Sequence, residues 1–245
     1  MNYLVKLAGV AALATAFSAT ALSAQTIRLG TEGAYPPYNF INDKGEVDGF
    51  ERELGDELCK RAGLTCTWVT NAWDSIIPNL VSGNYDTIIA GMSITAERDQ
   101  VIDFTQLYFP PDPSAYVALK GAKVDLKKGV ISAQTATIQA AYVAQSGATV
   151  VEFATPEETV AAVRSGEADA VLADYSYLKP IVDSSNGELE VIDQSVVIGG
   201  GVGMGIRESD AKLRDKMDAG ITAMKADGSL SALIAKWFDG RVVNW

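Results

Sequence analysis

Histidine is absent from the 245-residue sequence. Its absence removes the commonest general base of enzymes, the usual zinc ligand and the proton carrier of the Ser-His-Asp triad. Interpretations of the chain as a hydrolase or as a metalloenzyme therefore lose most of their support. We expect no metal ion and no cofactor.

Cysteine is nearly absent, since the chain contains only Cys59 and Cys66. In an exported chain such a pair favours a disulfide, which would join the end of a helix to the following strand across Gly63. The alternative is a pair of reduced, buried thiols. Two cysteines alone make a poor zinc site.

Basic residues are also few, with 20 Lys and Arg against 31 Asp and Glu and a formal net charge of −11. Phosphate backbones and anionic lipids repel so acidic a chain. Nucleic acid and membrane surfaces are therefore disfavoured as partners.

The apolar run near the start of the chain, Leu7 to Ala16, is too short to span a bilayer. It follows Lys6 and precedes a stretch of small residues that ends in Leu22-Ser23-Ala24, which is the order of a secretory signal peptide. We expect residues 1–24 to be removed by cleavage near Ala24, so that the mature chain begins at Gln25. No cysteine stands at this junction, so lipid attachment is not expected. A retained membrane anchor is the alternative.

Strands and helices alternate in the remaining chain, whose length of about 220 residues suits two lobes. The first series consists of the strands Ile27–Leu29, Thr67–Val69 and Asp86–Ala90 and the helices Glu51–Arg61 and Trp73–Val81. Loops after the strands of such units form ligand crevices, so Gly91 to Arg98 is the loop of interest.

Three prolines, Pro110, Pro111 and Pro113, then favour an extended connection between lobes, although an ordinary surface loop is the alternative. A second series follows, with strands Val130–Ala133, Val150–Phe153 and Ala170–Ala173 and helices Ile138–Gln145 and Pro156–Ser165. Glycines make the stretch 197–203 flexible enough for a return crossing. A dinucleotide-binding loop is the alternative, but the spacing of these glycines is wrong for it. We therefore predict an α/β protein with residues 25–112 and 200–245 in lobe 1 and residues 113–199 in lobe 2.

Segments of one recognisable pattern recur in order along the chain: Thr31–Tyr38, Asp48–Phe50, Trp73–Leu80, Asp86–Arg98, Asp103–Thr105, Gly166–Ala170, Asp174, Asp227–Ser229 and Lys236–Phe238. From Ile27 onward the chain thereby resembles the periplasmic amino-acid-binding proteins of ABC importers, solute-binding protein family 3, in the group of lysine/arginine/ornithine, histidine and opine binders. The resemblance implies a type II periplasmic-binding-protein fold, in which two hinge crossings join two lobes, each a mostly parallel sheet flanked by helices. It also implies a periplasmic monomer that captures an amino acid and delivers it to a membrane permease.

Two charged residues suit the two charges that every free amino acid carries. Arg98 is the expected clamp for the carboxylate, because a guanidinium offers two parallel donors and Thr95 can begin a helix whose N–H groups favour an anion. The resemblance assigns Asp174, in the second lobe, to the α-ammonium. Arg98 would otherwise be a solvated surface residue, and Asp174 a helix cap before Tyr175.

The remaining candidates would shape the pocket. The resemblance makes Tyr35 and Trp73 its aromatic walls, although either could be core instead. Backbone and hydroxyl groups of Ala90, Gly91 and Ser93 would meet the ligand carboxylate.

Gln134 and Thr137 fall in the matching loop of the second lobe, where the run Thr135-Ala136-Thr137 departs from the Gly-Ser-Thr-like run of relatives. Thr137 is the best donor candidate there, with a helix N-cap as the alternative.

Glu32 is the expected selectivity residue, because a carboxylate beside two aromatic walls favours a cationic side chain such as that of arginine, lysine or ornithine. Cystine and opine binders share a similar segment, and Glu32 could instead form an inter-lobe salt bridge. An enzyme related to dehydratases of the same fold is a second function class, with Glu32 as its acid or base. A sensory module would use the same site as a transport receptor.

Overall fold

The computed structural model describes residues 26–245, which form two five-stranded sheets flanked by helices and a small three-stranded sheet. The predicted signal peptide, residues 1–24, lies outside the described residues. Between residues 26 and 245, no helix is both long and apolar enough to cross a membrane.

The first part of the chain supplies most of one sheet. Its elements are β1 (Thr26–Thr31), β2 (Ala34–Tyr35), β3 (Asn39–Ile41), β4 (Val47–Asp48), α1 (Phe50–Arg61), β5 (Thr65–Thr70), α2 (Ile76–Val81), β6 (Thr87–Ile88) and β7 (Asp103–Phe104). Two short 3₁₀ helices, Trp73–Ser75 and Arg98–Gln100, stand before α2 and after β6.

The middle part supplies the whole of the second sheet. Its elements are β8 (Ser114–Leu119), β9 (Val130–Gln134), α3 (Ile138–Ser146), β10 (Thr149–Phe153), α4 (Pro156–Ser165), β11 (Ala170–Asp174), α5 (Tyr175–Ser184) and β12 (Leu189–Val196). The chain then returns to the first sheet with β13 (Gly205–Ile206), a 3₁₀ turn at Glu208–Asp210, α6 (Ala211–Ala226) and α7 (Ser229–Trp237).

The two sheets have the same plan. The strand orders are β5-β1-β6-β13-β7 and β10-β9-β11-β8-β12, and in each sheet four of the five strands point one way. The reversed strands, β13 and β8, are the ones that enter from the other sheet. The chain crosses between the lobes at the edge where the parallel strands end. The first strand after each crossing therefore runs in the opposite direction to the parallel strands. The two-lobed, mostly parallel architecture is thereby confirmed, with lobe 1 built on the first sheet and lobe 2 on the second.

Helix α1 shows how the sequence directs the packing of lobe 1. Leu54 and Leu58 are fully buried and share one core with residues of α6 and α7. Gly63 has a φ of +64°, and the helix ends just before it. Cys59 and Cys66 form a disulfide across this turn, as expected from the sequence.

The structure differs from the sequence expectations at helix α2 and at two strands. The predicted helix Trp73–Val81 is α-helical only from Ile76, after a 3₁₀ turn. Strands β8 and β12 escaped prediction: β8 is almost wholly buried, without alternation, and β12 pairs irregularly with it. In the return crossing, Ile94 exchanges backbone hydrogen bonds with Gly200 and Gly201, so this glycine run is attached to lobe 1. The residue boundaries of the lobes remain a prediction.

Candidate functional site

A cavity lies where the carboxyl ends of parallel strands from both sheets face each other. All ten residues proposed from the sequence line it: Glu32, Tyr35, Trp73, Ala90, Gly91, Ser93, Arg98, Gln134, Thr137 and Asp174. Ile138 and Gln139 complete the lining. Their grouping follows from the fold, because Glu32 follows β1, Gln134 ends β9 and Asp174 ends β11.

Arg98 enters the cavity from lobe 1. Its guanidinium donates a 2.9 Å hydrogen bond to the carbonyl of Ser93 and lies 5.3 Å from the ring centre of Trp73. The Thr95 hydroxyl accepts the backbone N–H of Arg98 at 3.2 Å. Burial lowers the pKa of Arg98 to about 10, against an opposing effect of Asp174. The guanidinium therefore stays charged at neutral pH and can pair with a carboxylate.

Asp174 enters from lobe 2 and is held by two donors. Its carboxylate accepts the hydroxyl of Tyr35 at 3.0 Å and the side-chain amide of Gln139 at 2.9 Å. It stands at the N-cap position of α5, yet its side chain makes no capping bond there, so the cap alternative is not realised. Burial, and next the charge of Asp112, raise the pKa of Asp174 to about 7. A cation placed beside this carboxylate would stabilise its ionised form.

The two aromatic candidates occupy different surroundings. Tyr35 is half-buried and stacks on Tyr177 of lobe 2, with ring centres 4.3 Å apart. Trp73 is 8% exposed, packs in a lobe 1 core and donates its indole N–H to the carbonyl of Ala136 at 3.4 Å. Each ring therefore bridges the lobes while lining the cavity.

Glu32 meets a neutral partner across the cavity. Its carboxylate accepts a 2.6 Å hydrogen bond from the amide of Gln134 in lobe 2, whereas the sequence left a salt bridge open. Burial raises the pKa of Glu32 to about 7, although the bond from Gln134 acts in the opposite direction. A cationic group beside Glu32 would compensate the cost of ionising it there.

In the segment after β6, one backbone amide is bound to a buried carboxylate. Gly91 has a φ of +63°, and its N–H is donated at 2.6 Å to the buried Glu51. The Gly91 N–H is thus engaged by Glu51, and the proposed contacts of the Ala90–Ser93 run with a ligand carboxylate stay a prediction. The left-handed backbone turns the amide away from the cavity and toward α1.

Thr137 forms the helix N-cap that the sequence left open as the alternative to a ligand donor. Its hydroxyl accepts the N–H of Ala140 at 3.1 Å as the N-cap of α3 and donates to the carbonyl of Gln134 at 2.6 Å. It also lines the cavity, so the cap and the lining position coexist.

Sequence reasoning missed Ile138, Gln139 and Glu51. The first two lie in the first turn of α3, which the sequence marked only as a helix start. Glu51 had a signal: it lies three residues before Leu54 and seven before Leu58, on the face of α1 that is otherwise apolar.

Comparisons with known proteins show the family and the fold of the chain. Residues 27–240 match the family described as bacterial extracellular solute-binding proteins, family 3. A histidine-binding periplasmic protein of Escherichia coli (strain K12) is 33% identical, and the match covers 94% of each chain. An L-arginine-binding protein of Pseudomonas aeruginosa is 32% identical, with 95% of each chain covered. Among solved structures, a periplasmic His/Glu/Gln/Arg/opine family-binding protein from Silicibacter pomeroyi, in complex with lysine, is 70% identical, with a TM-score of 0.86 and coverage of 89% of this chain and 100% of that one.

Proposed function

Since this chain belongs to the bacterial extracellular solute-binding proteins, family 3, we propose that it captures a cationic amino acid between its two lobes. The ligand would be of the arginine, lysine or ornithine type. The chain would deliver it, as a periplasmic monomer, to the membrane permease of an ABC transporter. Cleavage of residues 1–24 near Ala24 would release it from the inner membrane.

The pairing of Arg98 and Asp174 across one cavity carries this proposal. An amino acid loses its hydration when the lobes close, and both of its charges then need partners. Arg98 supplies a cation from lobe 1 and Asp174 an anion from lobe 2. Only the closed arrangement brings both to one ligand, so binding and closure would be coupled.

The cationic side chain is proposed from Glu32. This carboxylate lines the same cavity, close to Tyr35, and burial disfavours its ionised form. A lysine or arginine side chain would replace the lost hydration with an opposite charge. Support comes from the 70% identical structure, whose described ligand is lysine.

We also propose that the chain performs no reaction on its ligand. The similar proteins reported above are described as binding proteins. Arg98 and Asp174 suit the two fixed charges of an amino acid, and the absence of histidine removes the commonest acid–base catalyst.

A thermal-shift screen of the mature chain tests the function. The panel contains L-lysine, L-arginine, L-ornithine, L-histidine, L-glutamine, L-cystine and an opine. A ligand at a thousand times its Kd adds about 4 kcal/mol of stability, which raises the melting temperature of a chain this size by about 8–16 °C. We expect the largest shifts with the cationic amino acids.

The outcomes separate the parts of the proposal. No shift with any member of the panel would contradict amino-acid capture itself. Shifts restricted to cystine or the opine would leave capture intact and remove the argument from Glu32.

A further inference from the structure

Glu51 is a fully buried carboxylate that does not line the cavity. It lies in the first turn of α1, on the same face as Leu54 and Leu58. A charged group in such a position is costly to bury unless it is well hydrogen-bonded. Its partners therefore indicate what it does for the protein.

Three donors surround the Glu51 carboxylate. Its Oε1 atom accepts the N–H of Gly91 at 2.6 Å and the hydroxyl of Tyr108. Its Oε2 atom accepts the side-chain amide of Asn39 at 2.7 Å. Asn39 is buried as well, and its Oδ1 atom accepts the N–H of Gly33 at 2.7 Å. One chain of bonds therefore runs from Gly33 through Asn39 and Glu51 to Gly91.

The two ends of this chain lie within two of the three lobe 1 segments that line the cavity, the third being at Trp73. Gly33 stands between Glu32 and Tyr35, and its φ is +74°. Gly91 stands in the Ala90–Ser93 run, and its φ is +63°. Each segment turns at a glycine in the left-handed region, and the same buried network binds the N–H of both glycines.

We propose that Glu51 is a positioning residue of the binding site, which fixes the Glu32–Tyr35 segment relative to the Ala90–Arg98 segment. A site whose groups are already placed loses less conformational entropy when a ligand binds, so its affinity is higher. This inference rests on the proposed function, because it explains how the same site is held ready.

The hydrogen-bond pattern provides a sharp substitution. In Glu51→Gln, the new amide must face a donor: the Gly91 N–H, the Tyr108 hydroxyl or the Asn39 amide. The further change Asn39→Asp removes the amide donor and still leaves an acceptor for Gly33. The double variant Asn39→Asp/Glu51→Gln therefore restores complementary partners with almost unchanged volume.

Isothermal titration with L-lysine and L-arginine tests the inference, with the melting temperature of each ligand-free variant measured alongside. We expect Glu51→Gln to raise both Kd values by about tenfold or more, and the double variant to return them to within about threefold of wild type. Asp86→Asn is the matched control. Asp86 is buried in the same lobe but bonds to Arg28 and Arg207. The substitution should therefore lower the melting temperature and leave both Kd values within about twofold of wild type.

If Glu51 had a purely structural role, Glu51→Gln would lower the melting temperature without changing either Kd. That result would overturn the inference. The titration of the wild-type chain would still support the proposed function. If the wild-type chain binds no amino acid, the proposed function fails and the inference fails with it. Amide exchange of ligand-free wild type decides the matter should the variants not fold. The Gly33 and Gly91 amides should exchange slowly, and rapid exchange at both would overturn the inference.

Discussion

At the scale of single residues, burial moves the pKa of all three charged groups in the cavity toward the neutral form. The pKa values of Glu32 and Asp174 rise to about 7, and that of Arg98 falls to about 10. Burial is the largest cause in each case, because a low-dielectric environment disfavours charge. An amino acid with a cationic side chain would present an opposite charge to each group and reverse these shifts.

The affinity for L-lysine should therefore increase with pH. In the ligand-free protein the carboxyls of Glu32 and Asp174 hold protons below about pH 7, and these protons must leave before ionic pairing. Each proton released costs up to about tenfold in Kd per pH unit below that value. Titration calorimetry between about pH 5.5 and 7.5, in buffers of different ionisation enthalpy, measures both Kd and proton release.

Glu32→Gln removes one of the two titrating groups, so lysine binding should weaken and its pH dependence should flatten. Glu46→Gln, an exposed change of the same type, should alter neither.

The folding stability of the ligand-free protein should change with pH in the opposite direction to its affinity for lysine. Because both pKa values are raised in the folded state, the stability they contribute at low pH is lost as pH increases through about 7. A wild-type lysine Kd that is constant over this range would contradict the assignment of these carboxyls.

Arg98→Ala should weaken binding of every amino acid tested. Removing one partner of a buried ion pair costs about 3–5 kcal/mol, which corresponds to about a hundredfold to several thousandfold in Kd. Arg52→Ala is the control, since Arg52 also lies over a tryptophan, 5.7 Å from the ring of Trp68, but outside this cavity. Wild-type affinity in Arg98→Ala would mean that another group clamps the carboxylate.

The sequence identified ten of the twelve lining residues but not how each is used. The places of Arg98 and Asp174 in the cavity could be predicted from the chemistry of their side chains and from the strand ends that precede them. The direction of a backbone amide depends on local dihedral angles, so the bond from Gly91 to Glu51 could not be foreseen. Gln139 was missed because its contact with Asp174 joins residues from separate elements.

At the scale of secondary structure, helix α4 is the element whose ends follow most directly from sequence. Thr155 accepts the N–H of Glu158 at 3.3 Å, and Glu158 accepts the N–H of Thr155 at 2.9 Å. Pro156 occupies the first turn, and Gly166 ends the helix with a φ of +78°. These signals are local, and the predicted bounds Pro156–Ser165 are confirmed.

Thr155→Ala should therefore cost about 1 kcal/mol of unfolding free energy, because the first turn loses a capping acceptor. Urea denaturation measures this cost, and lysine affinity should be unchanged, since Thr155 lies outside the cavity lining. Thr149→Ala, an exposed change in strand β10, provides the comparison. An equal loss in both variants would show that the cap has no special role.

Strands β8 and β12 illustrate the limit of local signals. Strand β8 pairs antiparallel with β11 and β12, which lie more than fifty residues later in the sequence. Its nearly continuous burial removes the alternation by which a strand is usually recognised. Its pairing is fixed by the tertiary fold.

At the scale of the whole molecule, the lobes are also joined at the first crossing. The Asp112 carboxylate is 5% exposed and accepts the hydroxyl of Ser176 at 2.6 Å and the N–H of the same residue at 3.0 Å. It also forms an ion pair with Arg241, in the C-terminal segment that follows α7. One carboxylate thus connects the start of α5 in lobe 2 to the end of the chain.

Asp112→Ala should weaken lysine binding by about threefold or more, although Asp112 lies outside the cavity lining. Loss of this connection reduces the population of the closed form, and the apparent Kd rises by the same factor. Small-angle scattering should show a larger ligand-free radius of gyration than in wild type. Asp183→Ala breaks an exposed ion pair with Lys179 and should leave both measurements unchanged. An unaltered Kd in Asp112→Ala would exclude this carboxylate from the closure equilibrium.

The two-lobed plan could be foreseen because the strand–helix series appears twice, on either side of Pro110–Pro113. The order of strands within each sheet could not be read from the same pattern. Strand β13 contributes only two residues, Gly205 and Ile206, to its sheet, where it lies between β6 and β7. A strand so short carries no periodic signal.

The reversed strands β8 and β13 have a consequence for how the chain is made. All five strands of the second sheet lie between Ser114 and Val196, whereas the first sheet needs β13, which follows that stretch. During synthesis the N terminus emerges first, so the chain can complete the lobe 2 sheet before the lobe 1 sheet has all of its strands. Truncation before residue 200 should leave lobe 1 without β13, α6 and α7, and with the apolar face of α1 exposed to chaperones and proteases.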